Sequence, residues 1–78
     1  MSVFYFHVRD GGFVAEDPNG AELPDLATAR DKAATAIRQA VAEPASAGRD
    51  LGRRRFEIAD EAGRVLATVA FRDVFGLH

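Results

Sequence analysis

No cysteine occurs among the 78 residues. That removes disulfides, thiolate catalysis and cysteine-ligated zinc, and it leaves the redox compartment open. A strong net charge is also missing. Ten basic and 12 acidic residues give a formal charge of −2, so no global field draws the chain toward nucleic acid or an anionic membrane. No apolar run approaches the ~20 residues of a membrane span. The opening Met1-Ser2-Val3-Phe4-Tyr5-Phe6 is apolar but breaks at His7 and Arg9, and it lacks the basic n-region of a secretory signal. The expectation is a cytoplasmic protein without a membrane partner. Lysine is nearly absent, with Lys32 alone among the basic residues, and alanine is abundant; both suit a GC-rich bacterial genome.

What is present fits one small domain, residues 1–78. Apolar residues are 47% and charged residues 28%, an ordinary globular balance. A chain this short hides only about 60% of its unfolded surface. With no covalent staples, its stability rests on packing or on oligomerisation.

Val3 to Arg9 reads as a strand, alternating Phe4, Phe6 and Val8 with Tyr5, His7 and Arg9. Asp10-Gly11-Gly12 is a turn, and Phe13 to Glu16 a short second strand. Asp17-Pro18-Asn19-Gly20 carries the residues of a type I turn in order, and Ala21-Glu22-Leu23 extends the chain beyond it. Asp25 is placed to cap a helix whose apolar stripe is Leu26, Ala29, Ala33, Ile37, Ala40 and Val41. The helix ends at Glu43-Pro44. Leu26, Ile37 and Val41 are its expected anchors, because the rest of the stripe is alanine.

A small-residue connection covers Ala45 to Gly52. Arg53 to Asp60 reads as a third strand with Phe56 and Ile58 inward, and Asp60-Glu61-Ala62-Gly63 as another turn. Arg64 to Phe71 is a fourth strand with Val65, Ala67, Val69 and Phe71 as the inner row. The tail from Arg72 to His78 fits one helical turn on the sheet edge. The order is β-β-α-β-β, an α+β two-layer sandwich with one helix on an antiparallel sheet of about four strands. One helix covers one sheet face. The other face would expose Val3, Tyr5 and Leu66, and such a face or an open edge suits a second copy of the chain or another protein.

Candidate chemistry is sparse. His7 and His78 have no metal-ligand spacing, and His7 reads as a half-exposed strand residue rather than a ligand or base. The turn carboxylates read as backbone acceptors. Asp17-Pro18-Asn19 lacks the rest of a calcium loop. Ser2 and Ser46 lack a nucleophile context, and Gly11-Gly12 is no phosphate loop. No cofactor, metal or catalytic residue is expected. Arg49, Arg53, Arg54 and Arg55 form the local basic cluster, followed by Phe56 and with Tyr5 in the neighbouring strand. A basic groove with aromatics binds single-stranded nucleic acid. Alternation sends Arg54 to the face opposite Arg53 and Arg55, so the expectation is no continuous patch and a solvated strand start. The candidate interaction residues are therefore Tyr5, His7, Arg49, Arg53, Arg54 and Arg55.

Three separated motifs carry a resemblance. They are Phe4-Tyr5-Phe6-His7-Val8-Arg9-Asp10-Gly11, then Glu22-Leu23-Pro24-Asp25-Leu26 leading into the helix, then Phe56-Glu57-Ile58 with Asp60-Glu61-Ala62-Gly63-Arg64-Val65-Leu66 and Val69-Ala70-Phe71. Together they resemble a family of short bacterial proteins catalogued as domain of unknown function 6894. The resemblance implies a small bacterial protein and brings no catalytic residues with it. Leu23-Pro24-Asp25-Leu26 also resembles the hairpin-to-helix junction of HicB-type antitoxins, with Ala27 where that family has glycine. An uncharacterised interaction or regulatory module is the first expectation; a nucleic-acid binder or antitoxin-type partner is the alternative.

Overall fold

The computed structural model describes residues 1–42 and 52–75. Along the chain run β1 (Ser2–Asp10), β2 (Phe13–Ala15), β3 (Ala21–Leu23), α1 (Leu26–Ala42), β4 (Arg54–Ala59), β5 (Val65–Ala70) and the short α2 (Phe71–Phe75). The strands form one antiparallel sheet in the order β2-β1-β4-β5, and β3 also pairs with β1. The α+β reading with one main helix on an antiparallel sheet holds. The segment Ala21–Leu23 is a strand in its own right, so three strands precede the helix rather than two.

β1 is nine residues long, and that length organises the sheet. One of its edges pairs with β4 from Tyr5 to Asp10. Its other edge takes two short partners end to end, β3 beside Ser2 to Phe4 and β2 beside Val8 to Asp10. The β1–β2 hairpin closes over Gly11-Gly12, where Gly11 has φ +61° and Gly12 does not have positive φ. Positive φ at the first loop position alone is the type II′ pattern, whose twist matches that of the strands.

Side chains alternate across the sheet, so the register fixes one inner row. Phe6 lies opposite Ile58, Val8 opposite Phe56, Phe56 opposite Val69 and Ile58 opposite Ala67. Phe4, Ile58 and Ala67 from this row pack on Ala29 and Ala33 of α1, with Phe6, Leu23, Leu26, Phe56 and Val69 around them. The helix presents alanines there, which lets its backbone come close to the sheet. A second cluster joins Ile37 to Phe71 of α2, with Ala40, Phe56, Val69 and Val74. Three rings link the clusters: Phe6 meets Phe56 edge-on at 6.3 Å, and Phe56 meets Phe71 at 5.5 Å, both within the range of favourable aromatic pairs.

Asp25 caps α1 as expected. Its Oδ1 accepts the Thr28 N–H at 2.8 Å and the Thr28 hydroxyl at 2.7 Å. The tail reading also holds in outline, since α2 is one turn packed on the Ile37 cluster; residues 76–78 lie outside the described residues.

Two expected core residues are not in the core. Val41 is 42% exposed, because the last turn of α1 turns Ala40 toward the Ile37–Phe71 cluster instead. Val65 is 52% exposed. The register slips between Ile58 and Ala59, so Val65 pairs with Ala59 while Ala67 pairs with Ile58. The extra residue of that bulge takes Val65 off the inner row.

Candidate functional site

The gap between β3 and β2 leaves Tyr5, Phe6 and His7 without a strand neighbour on one edge. The Asp17–Gly20 turn fills it. Asp17 Oδ2 accepts the Phe6 N–H at 3.1 Å, and its Oδ1 accepts the Asn19 and Gly20 amides at 3.1 and 3.2 Å. The Asp17 N–H in turn donates to His7 Nδ1 at 3.0 Å. A ring nitrogen that accepts has no proton of its own, so this bond uses the neutral imidazole with its proton on Nε2. Tyr5 stacks on His7 at 6.3 Å with an interplanar angle of 16°. Gly20 closes against Tyr5 and Val3 so tightly that a Cβ there would sit 2.7 Å from Val3 Cγ1.

Burial pushes the Asp17 carboxyl up, but the amides of Phe6, Asn19 and Gly20 outweigh it and hold it below its ordinary value. The one imidazole–carboxylate pair of the described sheet thus spends its polar atoms on the backbone.

The sheet face opposite α1 is more polar than expected. Arg9 Nε bonds Glu57 Oε2 at 3.0 Å across the β1–β4 ladder, and Arg55 Nε lies 3.8 Å from the same oxygen. Val3 and Tyr5 are half-buried by the Asp17–Gly20 turn rather than open. The large exposed apolar side chains of the sheet are at its two ends: Phe13 and Val14 on β2, and Val65 and Leu66 on β5, with Leu66 at 41% exposure. β5 has no strand on its outer edge among the described residues.

The arginine run departs from expectation in an instructive way. Arg54 and Arg55 do leave the sheet on opposite faces, Arg54 toward Asp10 and Phe71 and Arg55 toward Glu57. Yet Arg53, Arg54 and Arg55 all border one shallow depression of about 390 Å³ where β4 begins. Arg72 joins them from the first turn of α2, and Gly11, Gly52 and Ala70 complete the wall.

Arg54 is held by Nε and Nη2 contacts of 3.3 and 3.2 Å to Asp10 Oδ2, with its guanidinium carbon 6.0 Å from the Phe71 ring centre. The Arg53 guanidinium lies over Gly11, where a Cβ would come within 2.7 Å of Nη2. Among the described residues neither Arg53 nor Arg72 forms an ion pair. Arg49 lies outside the described residues. Asp10 and Arg72 were not among the candidates from sequence. Asp10 could have been found from the hairpin register, which sets it opposite Arg54; Arg72 carries no local signal.

A second, larger cleft of about 560 Å³ runs between α1 and the sheet, bordered by Phe6 and Phe56 and by Ala33 and Ala36. Its presence follows from the alanine face of α1, which is too small to fill the space beside the rings. No group of three or more metal-ligating side chains occurs among the described residues, and no described helix is long and apolar enough to cross a membrane.

These features define a class: a two-layer α+β protein with an open sheet edge and an arginine-lined end. The model of the family described as Domain of unknown function (DUF6894) matches residues 3–72, and the chain belongs to that family. The match takes in the β1–β2 hairpin, the helix and both later strands, and it ends at Arg72. Comparison with curated proteins finds no match. Comparison with solved structures finds none either.

Proposed function

We propose that this chain is a non-catalytic interaction module whose contact is strand addition at the outer edge of β5, with a second copy of the chain as partner. The carrying observation is that edge itself. β5 ends the sheet among the described residues, and Val65 and Leu66 stand 52% and 41% exposed along it. An unpaired strand offers a row of backbone donors and acceptors to another strand. Antiparallel pairing of β5 with its own copy is self-complementary, as a two-fold contact requires. It would continue the sheet across the axis with both α1 helices on one face. The engagement of His7 and Asp17 with backbone groups supports a structural rather than an acid–base use of that pair.

Solution mass across a concentration series tests the reading. A dimer at tens of micromolar that reverts to monomer in a Val65→Lys/Leu66→Lys variant with an unchanged melt is the expected result. A wild-type monomer at millimolar concentration overturns it.

A further inference from the structure

We propose that the arginine-lined depression at the start of β4 is a binding site for a phosphate monoester. This goes beyond strand pairing at β5 and does not depend on it.

Four arginines border the depression. Asp10 offsets Arg54, while Glu57 is shared between Arg9 and Arg55. Arg53 and Arg72 have no ion-pair partner among the described residues, so at least two positive charges are left over. A phosphate monoester carries about −1.5 to −2 near neutral pH, which matches that excess. Asp73 follows Arg72 in the chain but does not border the site.

Arg54 is held in place before any ligand arrives, by two contacts to Asp10 and by the Phe71 ring beneath it. The Arg53 guanidinium lies beside Gly11, with Nη2 2.7 Å from where a Cβ would sit, so the glycine leaves room for it there. Among the described residues Gly11, Gly52 and Ala70 supply the rest of the wall, and none of them carries a bulky side chain. Planar guanidiniums are suited to bidentate contact with phosphate oxygens.

A volume of about 390 Å³ suits a phosphate with a small organic group, and no aromatic residue is among the described residues that border it. Sequence-tolerant single-strand binders pair an extended basic track with exposed rings on which bases stack. A compact site with no ring among its described lining favours a terminal phosphate over a run of phosphodiesters.

An amide-resolved NMR titration of the full chain tests the proposal with four probes: glucose 6-phosphate, a phosphoserine tripeptide, dimethyl phosphate and an oligothymidylate lacking terminal phosphates. Saturable shifts at Gly11, Gly52, Arg53 and Arg72 are expected with the two monoesters, at least about tenfold tighter than with dimethyl phosphate. The tighter of the two monoesters tells whether the natural source is a small molecule or a modified protein. Arg53→Gln and Arg72→Gln should each weaken monoester binding by about five- to tenfold, while Arg30→Gln on the exposed side of α1 leaves it unchanged. Three results overturn the proposal: equal binding of diester and monoester, tighter binding of the oligothymidylate, or monoester binding that survives in the Arg53→Gln/Arg72→Gln double variant.

Discussion

Asp17 stands in for a strand beside Phe6, its Oδ2 accepting the Phe6 N–H at 3.1 Å. The two short strands that flank this point pair with β1 on either side and leave it uncovered. One carboxylate therefore bridges what the backbone ladder omits, and it folds its own turn through the Asn19 and Gly20 amides as well. Asp17→Ala leaves three amides without their acceptor, and a loss of about 1–3 kcal/mol is expected. Asp17→Asn keeps one acceptor oxygen, which serves either Phe6 or the turn but not both, so its loss should be smaller. Urea denaturation of the two variants beside wild type checks the order; equal stability of all three would show that the gap needs no filling.

The same carboxylate sets a pH dependence. Asp17 is held below its ordinary value of 3.8. Asp25 is also lowered, by the Thr28 hydroxyl and then the Thr28 amide. Asp60 is lowered chiefly by the Arg64 amide, with the Ala62 amide and the Arg64 side chain adding to it. A carboxyl whose folded pKa lies below its unfolded one is the weaker proton binder when folded. Its contribution is complete above the unfolded value and disappears as pH falls through the folded value. The urea midpoint should therefore be flat above about pH 5 and decline below about pH 4. Asp17→Asn should make that decline shallower. A decline that begins near pH 6 would point to another group.

Ile37 is fully buried between the sheet and Phe71. Ile37→Asp places a charge there without a partner, and loss of the cooperative melt is expected. Ile37→Val removes one methylene and should cost about 0.5–1.5 kcal/mol. The pair separates an effect of charge from one of volume. Circular dichroism melts decide it, and a cooperative transition in Ile37→Asp would place the helix in a different register.

Much of this arrangement could be read from the chain because it is local. The alternation of Phe4, Phe6 and Val8, the cap at Asp25 and the stripe through Ala29, Ala33 and Ile37 each declare themselves within a few residues. The misses share a physical cause. Val65 leaves the inner row because of a bulge opposite Ala59, which depends on pairing rather than on composition. β3 is a strand because β1 is long enough to hold it beside Ser2 to Phe4, and three residues alone give no such signal. The arginines share one depression because β4 begins there and α2 brings Arg72 to it; alternation along β4, taken alone, argues for separation. His7 found its partner 10 positions away through the turn, a closure that no spacing rule supplies.

Glycine at two positions separates backbone conformation from space. Gly63 has φ +84°, and a Cβ there would meet nothing within 4 Å. Its N–H closes the turn on the Asp60 carbonyl at 3.0 Å. Gly20 has φ +71°, and a Cβ there would sit 2.7 Å from Val3 Cγ1 and 3.0 Å from the Tyr5 ring. At Gly63 a substitution faces only the left-handed backbone, which costs an L residue about 1–2 kcal/mol. Gly63→Asn should recover part of that, since asparagine visits this region, and Gly63→Val should be the worst of the set. At Gly20 the same backbone cost is joined by a collision with β1, so Gly20→Ala should lose more than Gly63→Ala. It should also perturb the Tyr5 and His7 ring signals, which Gly63→Ala leaves alone. Chemical denaturation gives the first comparison and aromatic NMR shifts the second. Equal losses at the two sites, with silent rings, would mean that the Asp17–Gly20 turn moves away from β1 at little cost and does not brace its uncovered edge.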